Sequence, residues 1–115
     1  MQLINQTRNT VLATSCIVAK NPISRMRGLL GRKDLLDGEA LVLEPGNSIH
    51  TFFMNFSIDV LFVDKKNKII KVIENLKPWR LTYIYWRSYL VIELPPKTIK
   101  SSQTVPGDIV TMSSL

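Results

Sequence analysis

The sequence predicts a β-rich α+β fold, a small antiparallel barrel or sandwich of about seven short strands with one main helix. Short apolar runs with many β-branched residues recur along the chain, and single glycines and prolines separate them. Only one segment has the period of a helix. Hydrophobic residues occupy 45% of the 115 positions, which is enough to build a core without a disulfide or a structural metal. We therefore expect one domain over residues 1–115.

The expected strands are apolar runs that end at turn residues. The first two cover residues 3–4 and 11–19, on either side of a polar stretch. Turns such as Asp37-Gly38 separate the later runs. Those later strands are predicted over residues 40–43, 49–53, 58–63, 68–73, 89–94 and 109–112.

A single main helix is predicted from Pro22 to about Leu30. Asn21 is a suitable N-cap, and proline suits the first helical position because its missing N–H needs no partner there. Apolar residues recur at helical spacing along one face, and Gly31 ends the segment. The other face is polar and includes Arg25.

Four blocks of the sequence resemble motifs of the DUF192 family, which is also called the UPF0127 family. The central block, IHTFFMNFSIDVLFVD, spans residues 49–64. The block RMRGLLGR at residues 25–32 is similar to the family's helical R-x-x-G-L-M-x-R element. The sequences LVIEL at 90–94 and GD at 107–108 are similar to its closing V-x-E-L and G-D-x-V elements. The four blocks occur in the order typical of the family.

The resemblance covers about residues 12–112 and includes three departures from the family pattern. Leu30 stands where methionine is common, and Ser57 stands where proline is common. Pro96-Lys97 replaces a common Ala-Gly pair, so we assign no functional role to that turn. The resemblance implies a small β-rich domain of bacteria and archaea with no established cofactor or catalytic residues.

Charge and cysteine content limit the classes of partner and site. Fifteen lysine and arginine residues against nine aspartate and glutamate residues give a formal net charge of +6. This surplus favours contact with anionic partners. Cys16 is the only cysteine and His50 the only histidine, which are too few ligands for a usual structural zinc site. We expect no metal site and no cofactor.

The start of the chain does not resemble a secretory signal. It contains no basic segment followed by a long apolar one. No run in the sequence approaches the roughly 18 consecutive apolar residues that a transmembrane helix needs. We therefore expect a cytoplasmic protein with no membrane span.

His50, Asp59 and Glu93 are the candidate catalytic residues, because imidazole and carboxylate groups perform general acid–base chemistry near neutral pH. No serine or cysteine nucleophile lies in a recognised motif, so a non-enzymatic protein is favoured. The alternative is a small hydrolase-like enzyme that uses His50 with Asp59 or Glu93. A structural interpretation is that both carboxylates pair with Arg25 or Arg32 and fix the helix on the sheet.

Two aromatic stretches are candidate binding surfaces. Residues 51–56 can line a pocket in which a few polar groups orient a small polar ligand, such as a saccharide. Residues 77–87 interleave basic and aromatic side chains, which suits sugar rings or single-stranded nucleic acid. We predict a small-ligand or partner-binding domain, and the alternative is a single-stranded nucleic-acid-binding module that uses the second stretch. The candidate binding residues are Arg25, His50, Phe53, Asn55, Trp79 and Trp86.

Overall fold

The computed structural model describes residues 1–21 and 34–113. In this part of the chain, eight strands and one short helix form a β-rich α+β fold, as predicted. The strands are β1 Gln2–Asn5, β2 Thr10–Ala13, β3 Ser15–Ala19, β4 Glu39–Leu43, β5 Ile58–Val63, β6 Ile69–Leu76, β7 Leu90–Leu94 and β8 Val110–Ser113, and the helix α1 is Thr98–Ser102. Among the described residues, no helix is long and apolar enough to cross a membrane.

The strands form two sheets, which are linked at one place by the chain itself and at another by a backbone hydrogen bond. The small sheet has the order β2-β1-β8, and the large sheet has the order β3-β4-β7-β5-β6. The chain passes from β2 into β3 on one side, and on the other the Ile69 amide donates to the Asp108 carbonyl at 2.8 Å, close to β8. The pairing is antiparallel except between β3 and β4. This pair therefore departs from the predicted antiparallel arrangement. Two neighbouring strands can be parallel only if a long connection joins them, and the connection from β3 to β4 is long enough.

A first hydrophobic core lies between the two sheets. It includes Leu3 from β1, Leu61 from β5 and Ile92 from β7, all of which are fully buried. Ile99 brings α1 onto this core. Burial of these side chains is the main favourable contribution to joining the sheets.

A second core covers the opposite face of the large sheet and includes Val60 and Phe62. Residues 45–57 and 77–89, which we call the paired loops, contribute to this core, for example through Met54. Since both faces of the large sheet are covered, every residue of β5 and of β7 is buried. This double burial explains why both strands are nearly continuous apolar runs in the sequence.

The predicted strand over residues 49–53 is wrong. The segment forms only an isolated antiparallel bridge, between His50 and Leu81. The chain turns at Phe53, where φ is 66°, a left-handed conformation that regular strands do not contain. The apolar and aromatic residues of this segment pack on the second core or lie exposed on its outer side. They do not pair within a ladder.

Three other expectations have different outcomes. The predicted strand over residues 11–19 is divided into β2 and β3 at Thr14, where the chain leaves the small sheet for the large one. The predicted main helix, from Pro22 to about Leu30, lies outside the described residues. The sequence did not predict α1, because a helix of five residues is too short to show a helical period.

Lys97 precedes α1 and has a left-handed backbone, with φ 75°. It occupies the position where glycine is common in the family that the sequence resembles. A non-glycine residue in this conformation is strained by roughly 1 kcal/mol. We expect Lys97→Gly to raise the free energy of unfolding by about 0.5–1 kcal/mol in urea titrations. Lys100→Gly, inside α1, is the control and should lower it by about 1 kcal/mol; equal losses in both variants would contradict the prediction.

Candidate functional site

The paired loops run side by side in opposite directions. The Thr51 amide donates to the Arg80 carbonyl at 2.8 Å, and the Tyr85 amide donates to the Asn47 carbonyl at 2.8 Å. Later positions of one loop therefore match earlier positions of the other, as in an irregular antiparallel pair. One side of this pair packs on the second core, and the other side faces solvent.

Two buried threonines fix the paired loops to each other. The Thr51 hydroxyl donates to the Lys77 carbonyl at 2.6 Å and accepts from the Arg80 amide at 2.9 Å. The Thr82 hydroxyl accepts a hydrogen bond from the Ile49 amide at 3.0 Å. Sequence analysis missed both residues, although a hydroxyl residue within an aromatic run is a signal for such side chain to backbone bonds.

The outer side of the paired loops carries large apolar side chains that are exposed to water. At least half of the surface of each of these side chains is exposed. Scattered exposed apolar residues are normal, whereas a series of them on adjoining segments indicates an interaction surface. We call this series the aromatic strip, and its members are Phe53, Trp79, Leu81, Tyr83, Ile84 and Trp86.

His50, Phe52, Phe53 and Trp79 form a cluster at one end of the strip, which we call the aromatic corner. The His50 ring stacks on Phe52 with a centroid distance of 5.0 Å, and the Phe53 and Trp79 centroids are 4.7 Å apart. The Nδ1 atom of His50 accepts a hydrogen bond from the Phe52 amide at 3.3 Å. The structure thus brings together three of the predicted binding residues, namely His50, Phe53 and Trp79.

The paired loops carry positive charge only. Neither loop contains an aspartate or a glutamate, whereas Lys77, Arg80 and Arg87 are all exposed on the second loop. A surface with this distribution attracts anions and repels carboxylate-rich partners. Three of the chain's six surplus positive charges therefore lie on the same loops as its exposed aromatic rings.

The structure does not bring His50, Asp59 and Glu93 together. His50 is exposed on the paired loops. Asp59 is in register with Leu94, and Glu93 is in register with Val60. Since Leu94 belongs to the first core and Val60 to the second, the two carboxylates lie on opposite faces of the large sheet.

Asp59 is fully buried and is held by two backbone amides. Its Oδ1 atom accepts from the Asn75 amide and its Oδ2 atom from the Ile99 amide, each at 2.9 Å. These bonds connect β5 to the end of β6 and to α1. The proposed partners Arg25 and Arg32 lie outside the described residues, so the arginine pairing stays a prediction.

Glu93 is buried on the face of the large sheet that carries the second core. Its Oε2 atom has no hydrogen-bond partner among the residues that the structure describes. Burial raises the pKa of this carboxyl from 4.5 to about 7, because the charged form loses its hydration. Burial this deep favours a structural role over direct contact with a substrate.

Residues 51–56, the expected pocket lining, lie on the paired loops, where Asn55 is exposed. Two grooves, of about 630 and 420 Å³, lie beside α1, and no described candidate binding residue lines either of them. Within the described part of the chain, no group of three or more His, Cys, Asp or Glu side chains is placed to hold a metal ion. The aromatic strip is therefore the best-defined candidate site.

Comparison with protein families identifies the chain. The DUF192 family model, described as an uncharacterized ACR, matches residues 3–112. The chain belongs to the DUF192 family. A UPF0127 protein of Pyrococcus horikoshii is 33% identical over 109 residues, which are 92% of this chain and 94% of that protein. A UPF0127 protein of Pyrococcus abyssi is 31% identical over 114 residues, which are 94% of each chain.

Solved structures share the fold of this DUF192 member. A protein of unknown function from Novosphingobium aromaticivorans has a TM-score of 0.81 and 16% identity, covering 96% of this chain and 82% of its own. A Sinorhizobium meliloti protein, described as a candidate transcription regulator, has a TM-score of 0.80 and 22% identity, with coverages of 96% and 89%. At these identities the likeness concerns the fold alone.

Proposed function

We propose that this DUF192 protein binds single-stranded nucleic acid along the aromatic strip. The observation that carries the proposal is the presence of exposed aromatic rings and exposed cations on one pair of loops. Trp79 and Trp86 are 57% and 81% exposed, and Arg80 and Arg87 each follow one of them directly in the chain. Unpaired bases stack on such rings, while phosphates pair with such cations.

The strip has a length that suits a short segment of a single strand. The chain from Trp79 to Trp86 spans at most about 25 Å when fully extended, a reach that fits the smaller single-strand sites of about four nucleotides. Beyond Trp86, the Lys65 ammonium lies 5.6 Å from the centre of the Tyr89 ring and adds a cation at that end. The proposal includes the cytoplasmic location that the sequence predicts, where single-stranded RNA is available.

The charge of the paired loops favours nucleic acid over a neutral saccharide. Sugar hydroxyl groups need acceptors as well as donors, and carboxylates, the strongest side-chain acceptors, are absent from both loops. A hydrolase that uses His50 with Asp59 or Glu93 has less support, because His50 is exposed whereas both carboxylates are buried. A non-enzymatic role is therefore the proposed one.

The proposal predicts salt-sensitive binding of an unstructured oligonucleotide. We expect fluorescein-labelled oligo(dT) or oligo(U) of about 12 nucleotides to raise its fluorescence anisotropy when this protein is added at low salt. If Lys77, Arg80 and Arg87 each neutralise one phosphate, the slope of log affinity against log salt is about −2. Arg80→Ala should reduce this slope by about 0.7, and Trp86→Ala should weaken binding about tenfold.

Two control variants test whether these effects are local to the strip. Lys100→Ala removes an exposed cation from α1, and Ile17→Ala removes an exposed apolar side chain from β3. Both should retain the affinity of the unmodified protein. An anisotropy that does not change at low salt, or binding that is independent of salt, would contradict the proposal. Tighter binding to anionic vesicles or to oligosaccharides than to oligonucleotides would also contradict it.

A further inference from the structure

Phe53 and Trp79 have a backbone conformation that is unusual for aromatic residues. Their φ angles are 66° and 63°, in the left-handed region. Other described residues with positive φ are glycines or asparagines, which tolerate it, or flank α1. Phe53 and Trp79 are thus bulky residues under backbone strain, and their rings contact each other.

Burial does not explain why this strain is kept. Phe53 is 70% exposed and Trp79 is 57% exposed, so neither side chain contributes much to a core. Glycine at either position would relieve the strain, and the apolar surface that it uncovers is the minority of each side chain that is not already exposed. Strained positions that stability does not explain are found preferentially at binding sites.

The strained residues are held in place by Thr51. Its carbonyl accepts hydrogen bonds from the Trp79 amide at 3.0 Å and from the Met54 amide at 3.2 Å. Because Met54 directly follows Phe53, one buried residue fixes the chain at both strained positions. The two rings are consequently presented to solvent in a fixed arrangement, which reduces the entropy lost when a ligand stacks on them.

We infer that the aromatic corner is the stacking site for one unpaired base, an assignment that rests on the proposed function. Trp79 and Phe53 provide the stacking surface, and the adjoining Arg80 holds the phosphate of the same nucleotide. Because the Nδ1 atom of His50 accepts the Phe52 amide, the neutral imidazole carries its proton on Nε2. This N–H donates to an acceptor on the edge of the stacked base.

The test measures stability and base dependence in the same variants. We expect Phe53→Gly and Trp79→Gly to change the urea midpoint little, because relief of strain offsets the lost ring contacts, while binding of oligo(dT) weakens about tenfold. Tyr83→Gly is the control, since Tyr83 is 83% exposed on the same loop but has no positive φ. We expect this variant to lower the urea midpoint, because glycine there adds flexibility without relieving strain.

An abasic oligomer of the same length separates stacking from phosphate contact. The unmodified protein should bind oligo(dT) about a hundredfold more tightly than the abasic strand, because Trp86 and the aromatic corner each stack a base, and each glycine variant should reduce this preference about tenfold. If the unmodified protein binds neither oligomer, the proposed function itself is wrong. If it binds both equally, no base stacks on the strip and the proposed function is wrong as well. If it prefers oligo(dT) and the glycine variants keep the full preference, the corner is not the stacking site although the proposed function stands.

Discussion

Asp59→Asn is expected to lower the free energy of unfolding by about 3 kcal/mol, the largest loss of stability that we predict for a single substitution. Asp59 is completely buried, and each of its two oxygens accepts a backbone N–H, from Asn75 and from Ile99. Asparagine keeps one oxygen and replaces the other by an NH₂ group. In either orientation of the amide, a donor then faces a donor, and one buried N–H loses its partner.

The measurement is urea unfolding followed by circular dichroism, with Asp64→Asn as the matched control. Asp64 lies in the turn between β5 and β6, and its Oδ1 atom alone accepts the amides of Lys66 and Lys68. An asparagine oxygen can accept both of these bonds, so the control should lose less than about 0.5 kcal/mol. An unchanged urea midpoint for Asp59→Asn would show that the two hydrogen bonds do not stabilise the fold.

Glu93→Gln is expected to remove a pH-dependent loss of stability of about 3 kcal/mol. The pKa of Glu93 in the folded protein is about 7, above its ordinary value of 4.5, because burial disfavours the charged carboxylate. The folded state therefore binds this proton more tightly than the unfolded state does. The resulting stabilisation is complete below pH 4.5 and is lost as the pH rises through 7.

Urea titrations over a range of pH values test this sign. Glutamine resembles the protonated acid, so the variant and the unmodified protein should have similar stability in acid, and the variant should be more stable by about 3 kcal/mol in mild alkali. Glu74→Gln, at an exposed position of β6, controls for the loss of one negative charge. A variant that is less stable at every pH would instead support a cationic partner for Glu93, as the arginine-pairing hypothesis expects.

The fold was largely predictable because a strand can be recognised from the residue types in its own short segment of sequence. The runs at β5 and β7 are apolar and β-branched, and turn residues bound them, so their existence follows from neighbouring residues alone. Lys97 shows the limit of this approach. Nothing in its immediate sequence predicts a left-handed backbone, and only the glycine common at this position in the family hints at it.

The candidate site was predictable in composition but not in arrangement. Trp79 and Trp86 stand out in the sequence because basic residues follow them, and both are exposed on the paired loops. The contact of Trp79 with Phe53 joins residues that are far apart in the chain, and the Thr51 carbonyl, which accepts the amides of Trp79 and Met54, holds both segments. No local pattern encodes such a contact, because it forms only when two loops pack on the same face of the sheet.

The sequence by itself determined the family, the β-rich class, the largely apolar strands and the excess of positive charge. These properties depend on residue type and on short-range periodicity. Only the tertiary structure decided that Asp59 and Glu93 point to opposite faces of the large sheet, and that His50 adjoins Phe52 at the surface. The physical reason is that alternate residues of a strand point to opposite faces of the sheet, which the sequence shows directly. Which segment packs on each face depends on contacts between residues that are far apart in the chain.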